Sequence, residues 1–123
     1  MTTRIVLIAA LVLTGCTSTS RSPTSFAEAE RLVHSQPKTA ATDAYGAAWA
    51  DFNNTHHLDE RDGCYFKAKG SLTQILQIDA DGKVVGYFSD KDNARSQCWR
   101  NTYLGVTFPK PPFAPIYHLL VMQ

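Results

Sequence analysis

Cys16, Cys64 and Cys98, four histidines and a few clustered carboxylates are the side chains here with types and spacing suited to chemistry. None of the cysteines belongs to a Cys-x-x-Cys pair and none has a His beside it, two arrangements that turn a thiol into a reactive thiolate. His56-His57-Leu58-Asp59-Glu60 gathers good metal-ligand types. Adjacent residues do not easily close on one ion, however, so this stretch reads as a solvated loop. Asp79-Ala80-Asp81-Gly82 begins like a calcium loop. It lacks the next Asp or Asn and the twelfth-position Glu that complete an EF-hand, and reads as a hairpin turn. His118 lies in an apolar run and reads as a packed or edge residue rather than a base. No Ser-His-Asp order and no Gly-rich phosphate loop occurs. The expectation is a protein without catalytic residues, metal or cofactor.

Composition excludes other classes. Twelve Lys and Arg face eleven Asp and Glu, without the basic excess of a nucleic-acid binder. There is no block of like charge to form a polybasic membrane patch, and no small-molecule substrate is implied. Aromatic residues make up 11% of the chain, enough to argue against disorder over most of it.

The first residues, MTTRIVLIAALVLTGC, carry one positive charge at Arg4 and an apolar run from Ile5 to Leu13. That run is too short to span a bilayer, which takes about 20 residues, and has the size of a secretory h-region. Leu13-Thr14-Gly15-Cys16 resembles the bacterial lipobox. The resemblance implies a lipoprotein signal peptide over residues 1–15, cleavage before Cys16, and lipidation of that cysteine. Several acyl chains, at about 0.8 kcal/mol per buried CH₂, hold a protein on a membrane far better than one. Thr17 stands where an Asp would signal inner-membrane retention in enteric-type sorting, so the outer membrane, facing the periplasm, is the expected address.

Residues 17–25 contain no hydrophobic side chain and read, with Cys16, as a flexible tether. A single domain over 26–123 follows. A helix is expected from Phe26 to His34, with Ser25 as N-cap, Glu28 completing a capping box, Ala29, Leu32 and Val33 as its stripe, and Pro37 as its stop. A second helix, capped by Thr42 or Asp43, should run to about Asn53 with Tyr45, Ala48, Trp49 and Phe52 at helical spacing. Residues 53–63 read as polar and irregular. Ser71 to Ile78 alternate as a half-buried strand, a turn at Gly82 follows, and Lys83 to Phe88 return as the second arm of a hairpin. Ser89 is the expected cap of a third helix that runs to about Tyr103 with Ala94, Cys98 and Trp99 inward. A Pro-rich passage leads to a closing strand, Ile116 to Met122. The fold class is α+β: one small antiparallel sheet with helices packed on it.

In an oxidising compartment the two remaining thiols, Cys64 and Cys98, are expected to form a disulfide. A metal pair or a catalytic thiol are the alternatives.

The hairpin with Asp81-Gly82, Val84 and Val85, then Cys98 in a helix, Phe108-Pro109 and the strand from Ile116 are similar to the C-terminal domain of TonB-like energy transducers, in the variety seen in AgmX-type proteins. The resemblance covers about residues 64–122. It implies a small binding module that presents a strand edge to an envelope protein partner. The lipid anchor and short tether depart from the transmembrane anchor and long Pro-rich span of TonB, which speaks against energy transduction as such. Tyr103, Phe108, Phe113 and Tyr117, in and beside the Pro-rich passage, are the candidate contact residues. The plainer reading has Phe108 and Phe113 filling the core. The rival function is a periplasmic inhibitor or immunity lipoprotein against a cell-wall hydrolase or toxin, with residues 53–63 as the inserting loop.

Overall fold

A computed structural model describes residues 21–123. The expected signal segment, Cys16 and the first part of the tether lie outside the described residues.

The elements are α1 (Phe26–Ser35), α2 (Ala40–Thr55), a 3₁₀ segment (Leu58–Phe66), β1 (Leu72–Ile78), β2 (Val84–Ser89), α3 (Ala94–Tyr103) and β3 (Ile116–Met122). The three strands form one antiparallel sheet in the order β2-β1-β3. The class is α+β, with the hairpin, helix and closing strand expected from the sequence.

Placing β1 in the middle changes its environment. Leu72, Leu76 and Ile78 face a core built from Tyr45, Trp49, Leu58, Cys64, Trp99, Tyr103 and Phe108. Ile75, on the opposite face, is fully buried against Ala29 of α1 and Tyr117 of β3. The strand is therefore covered on both faces, not half-buried as its alternation suggested. Its polar residues are absorbed rather than exposed: Gln74 is fully buried and accepts a hydrogen bond from the Tyr87 hydroxyl.

Two helix starts differ from expectation. Each observed cap is a short polar residue whose partner three residues on reciprocates. Thr39, not Thr42 or Asp43, caps α2: its Oγ1 accepts from the Thr42 N–H at 3.3 Å, while its own N–H donates to Thr42 Oγ1 at 2.8 Å. Asn93, not Ser89, caps α3, through the same reciprocal pair with Ser96 at 3.0 and 2.9 Å. Ser89 instead ends β2, opposite Gln74. The inward stripe of α3 also differs from the expected one. Arg95, Ser96, Trp99, Thr102 and Tyr103 are buried, Ala94 is exposed and Cys98 is only partly buried. In α2, Tyr45 and Trp49 are buried and Ala48 is exposed. Ser25 caps α1 as expected, accepting from the Glu28 N–H at 3.2 Å, but the expected capping box does not close: the Glu28 carboxylate accepts from Thr24 instead of the Ser25 N–H.

The tether ends sooner than its composition implied. Pro23 is buried, Ser22 Oγ accepts from Gln77 Nε2 at 3.4 Å, and Thr24 donates from its N–H to Glu28 at 2.7 Å. Polar residues alone do not decide flexibility when a neighbouring surface offers partners.

Of residues 53–63, expected to be irregular, 53–55 end α2 and 58–63 belong to the ordered segment formed by residues 58–66. That segment consists of two 3₁₀ turns joined at Arg61–Gly63, with His57, Asp62 and Gly63 at positive φ. The Cys64–Cys98 disulfide, with a Cα–Cα distance of 5.3 Å, fastens this segment to α3. Gly82 is required at the hairpin turn. Its φ is +90°, and a Cβ there would lie 2.0 Å from the Phe108 carbonyl oxygen.

Candidate binding edge

An antiparallel strand directs every second residue's N–H and C=O to each side. In β3, Tyr117 turns its pair outward. Its N–H donates to Gln36 Oε1 at 2.6 Å and its C=O accepts from Gln36 Nε2 at 2.9 Å. The side-chain amide of Gln36, at the C-cap of α1, thus imitates a neighbouring strand for one residue. By alternation Leu119 and Val121 turn their main-chain groups the same way. No main-chain partner for them occurs among the described residues. Among the described residues, then, β3 is an open edge beyond Tyr117, and the Val121 side chain on it is 56% exposed.

At the C-terminal end of β3 stand two exposed aromatics, Tyr65 (50%) and Phe66 (86%), their rings edge to face at 5.4 Å. They follow the disulfide cysteine directly, which fixes where they emerge. Tyr65 is fixed further: its hydroxyl donates to the Gln123 carbonyl at 2.7 Å, and the Arg95 guanidinium lies 4.7 Å from its ring centre. Arg95 itself donates to the Gly70 carbonyl. Beside Phe66 opens a groove of about 400 Å³ with Asp59, Glu60, Gly63, Trp99 and Met122 among its walls.

The aromatic residues expected to make contacts lie elsewhere. Tyr103 (0%), Phe108 (2%) and Tyr117 (7%) are buried, and Phe113 packs partly buried against the core. Phe108 stacks on Trp49 at 4.8 Å and Tyr103 on Trp99 at 5.6 Å. The Tyr103 hydroxyl donates to Asn53 at 3.0 Å, and burial pushes its pKa up. Those side chains fill the interior; only the main chain of Tyr117 belongs to the edge. Tyr65 and Phe66 escaped the sequence reading. Their signal was two consecutive aromatics in a polar stretch just past a disulfide cysteine, where both rings cannot turn into the same core.

His118 faces the core from β3, 4.2 Å from the Trp49 ring centre, and burial lowers its pKa to about 4. It is a packed neutral imidazole. His56 and His57 are exposed; His57 Nδ1 lies 3.4 Å from Glu60. Among the described residues no group of three His, Cys, Asp or Glu could hold a metal ion. No helix among them is long and apolar enough to cross a membrane.

Compared with protein-family models, with characterised proteins and with solved structures, the chain finds no match. Function is therefore read from the sequence motifs and this geometry.

Proposed function

We propose that this chain is a non-enzymatic lipoprotein of the bacterial cell envelope, held by lipid on Cys16, whose domain binds an envelope protein partner through the outer edge of β3. The observation that carries the reading is the open main chain at Leu119 and Val121, with an exposed aromatic pair at the end of the same strand. An unpaired edge is a standing template for an added strand. The resemblance of residues 64–122 to the TonB C-terminal domain also implies a module that presents a strand edge. Lipidation places the domain at a membrane surface, by the sorting residue Thr17 the periplasmic face of the outer membrane. Crosslinking in cells followed by affinity capture, with the native chain and a Cys16→Ala variant side by side, tests it. A specific protein captured with the native chain and lost with the variant supports an anchored binding module. Capture of nothing above background from the native chain refutes it.

The rival reading, an inhibitor or immunity lipoprotein, draws on one feature. The segment His57–Gly63 is exposed apart from Leu58, and a disulfide beside it holds its positive-φ residues in place. A pinned polar loop of this kind suits insertion into an enzyme cleft. Loss of protection of the target on changing His56, His57, Asp59 and Glu60, with the β3 edge intact, favours this reading over the first.

A further inference from the structure

The groove beside Phe66 is mostly apolar inside and carries carboxylates on its rim. Its walls are Phe66, Trp99 and Met122, with Gly63 opening space between them. Asp59 and Glu60 stand on its rim, both exposed. Among the described residues the one ion-pair contact of these carboxylates is His57 to Glu60 at 3.4 Å. Arg95, on the far side of Tyr65, is turned to the Tyr65 ring and the Gly70 carbonyl.

We infer that this groove is the side-chain pocket of the β3 edge and that it takes an arginine or lysine of the docked segment. The inference rests on the edge reading and adds the chemistry of the partner. Three facts converge on a long cationic side chain. A purely apolar side chain would fill the groove but leave the rim carboxylates facing water and gain nothing from them. An acidic one would meet like charge. Arg or Lys lays its methylene stem along Met122 and Trp99 and keeps its head at the rim, facing Asp59 and Glu60. The exposed Phe66 ring adds a face on which the cation can rest.

The placement fits strand addition. Even-numbered residues of β3, Leu120 and Met122, project to the face on which Leu58, Cys64 and Trp99 pack. A strand laid beside Val121 projects alternate side chains to that same face, next to Met122. The walls are also fixed before binding. Cys64 is disulfide-bonded and Tyr65 is tied to Gln123, so little order must be imposed when the pocket fills.

The test uses fluorescein-labelled, N-acetylated six-residue peptides of Thr and Val carrying a single Arg, placed at each position in turn. Twins carry norleucine or Glu in its place. All are titrated by anisotropy against the lipidated full chain in detergent micelles. At the best register the Arg peptide should bind at least tenfold tighter than either twin. Asp59→Asn with Glu60→Gln should erase that preference while residual binding persists. Val121→Pro, which removes an outward N–H, should weaken all three peptides alike. Equal binding of the three peptides to the native chain overturns the pocket and leaves the edge standing. Binding of none of them overturns the edge reading, and the pocket falls with it. An Arg preference that survives both carboxylate changes also overturns the pocket.

Discussion

The sheet has two outer edges, and they are closed by different means. At the start of β2, main chain closes the edge. The Val84 N–H donates to the Val106 carbonyl at 2.9 Å, the Gly105 N–H to the Val84 carbonyl at 2.9 Å, and the Phe108 N–H to the Gly82 carbonyl at 2.8 Å. That closure is covalently continuous with α3 and sits over the core. On β3 a side-chain amide, Gln36, holds Tyr117, and among the described residues Leu119 and Val121 have no main-chain partner on the outer side. A main-chain closure is part of the fold and disappears only when the fold does. A side-chain clasp holds by two hydrogen bonds, about 0.5 kcal/mol each net at a partly exposed edge, and can give way to a real strand. The main-chain closure reaches only the start of β2: among the described residues the outward main chain of Tyr87 and Ser89 has no main-chain partner either, and what sets β3 apart is the clasp at Tyr117 and the exposed aromatic pair at its end.

Removing the disulfide with Cys64→Ala and Cys98→Ala should have the largest effect. The bridge closes a 34-residue separation, and in the chain-entropy model its loss costs about 3–4 kcal/mol, read as a lower urea midpoint. The damage should centre on the 3₁₀ segment and α3. Amide exchange at Val84 and Phe108 should then change less than at Tyr65, if the main-chain closure is independent of the bridge.

Acid should act through β3. The His118 pKa is depressed to about 4 in the folded chain, against about 6.5 unfolded. The unfolded chain then binds the extra proton between those values, so stability is full above pH 6.5, falls as pH drops toward 4, and changes no further from this group below that. The loss reaches up to about 3 kcal/mol. A His118→Phe variant should flatten the dependence of the urea midpoint on pH across that window.

Gly82→Ala attacks the closed edge. The new Cβ meets the Phe108 carbonyl and the backbone is at positive φ, so at least about 2 kcal/mol should be lost. Gln36→Ala attacks the clasp and should cost only about 1 kcal/mol. Its mark should be faster amide exchange at Tyr117 and greater concentration-dependent self-association, since it extends an open edge. Equal stability losses from these two changes would erase the distinction between the edges.

Much of this architecture was legible in the residues. The alternation of Leu72 to Ile78, Gly82 at the turn and the apolar run from Ile116 located three strands within a few residues. Cys64 and Cys98 form the disulfide in the structure. Burial was harder to read, because it depends on what covers each face of the sheet. Ile75 became core because α1 packs on the face away from the main core, and no local pattern in β1 states that. The helix caps at Thr39 and Asn93 hinged on reciprocal side chains, where a nearby Ser or Asp looked equally good. Tyr103, Phe108 and Tyr117 drew notice because aromatics and prolines cluster there, yet large rings near prolines serve a core as readily as a surface. Tyr65 and Phe66 carried the surface signal, and only the disulfide geometry turned it outward.

The central claim is that β3, not β2, meets the partner. Photocrosslinking in living cells with p-benzoylphenylalanine at Val121, and separately at Val85 of β2, tests it most directly. The two positions are 56% and 49% exposed, so accessibility alone does not favour either. If β3 is the docking edge, Val121 gives a discrete crosslinked band that Val85 does not give and that nearby Leu119 reproduces. The same band from Val85 with none from Val121 would contradict it.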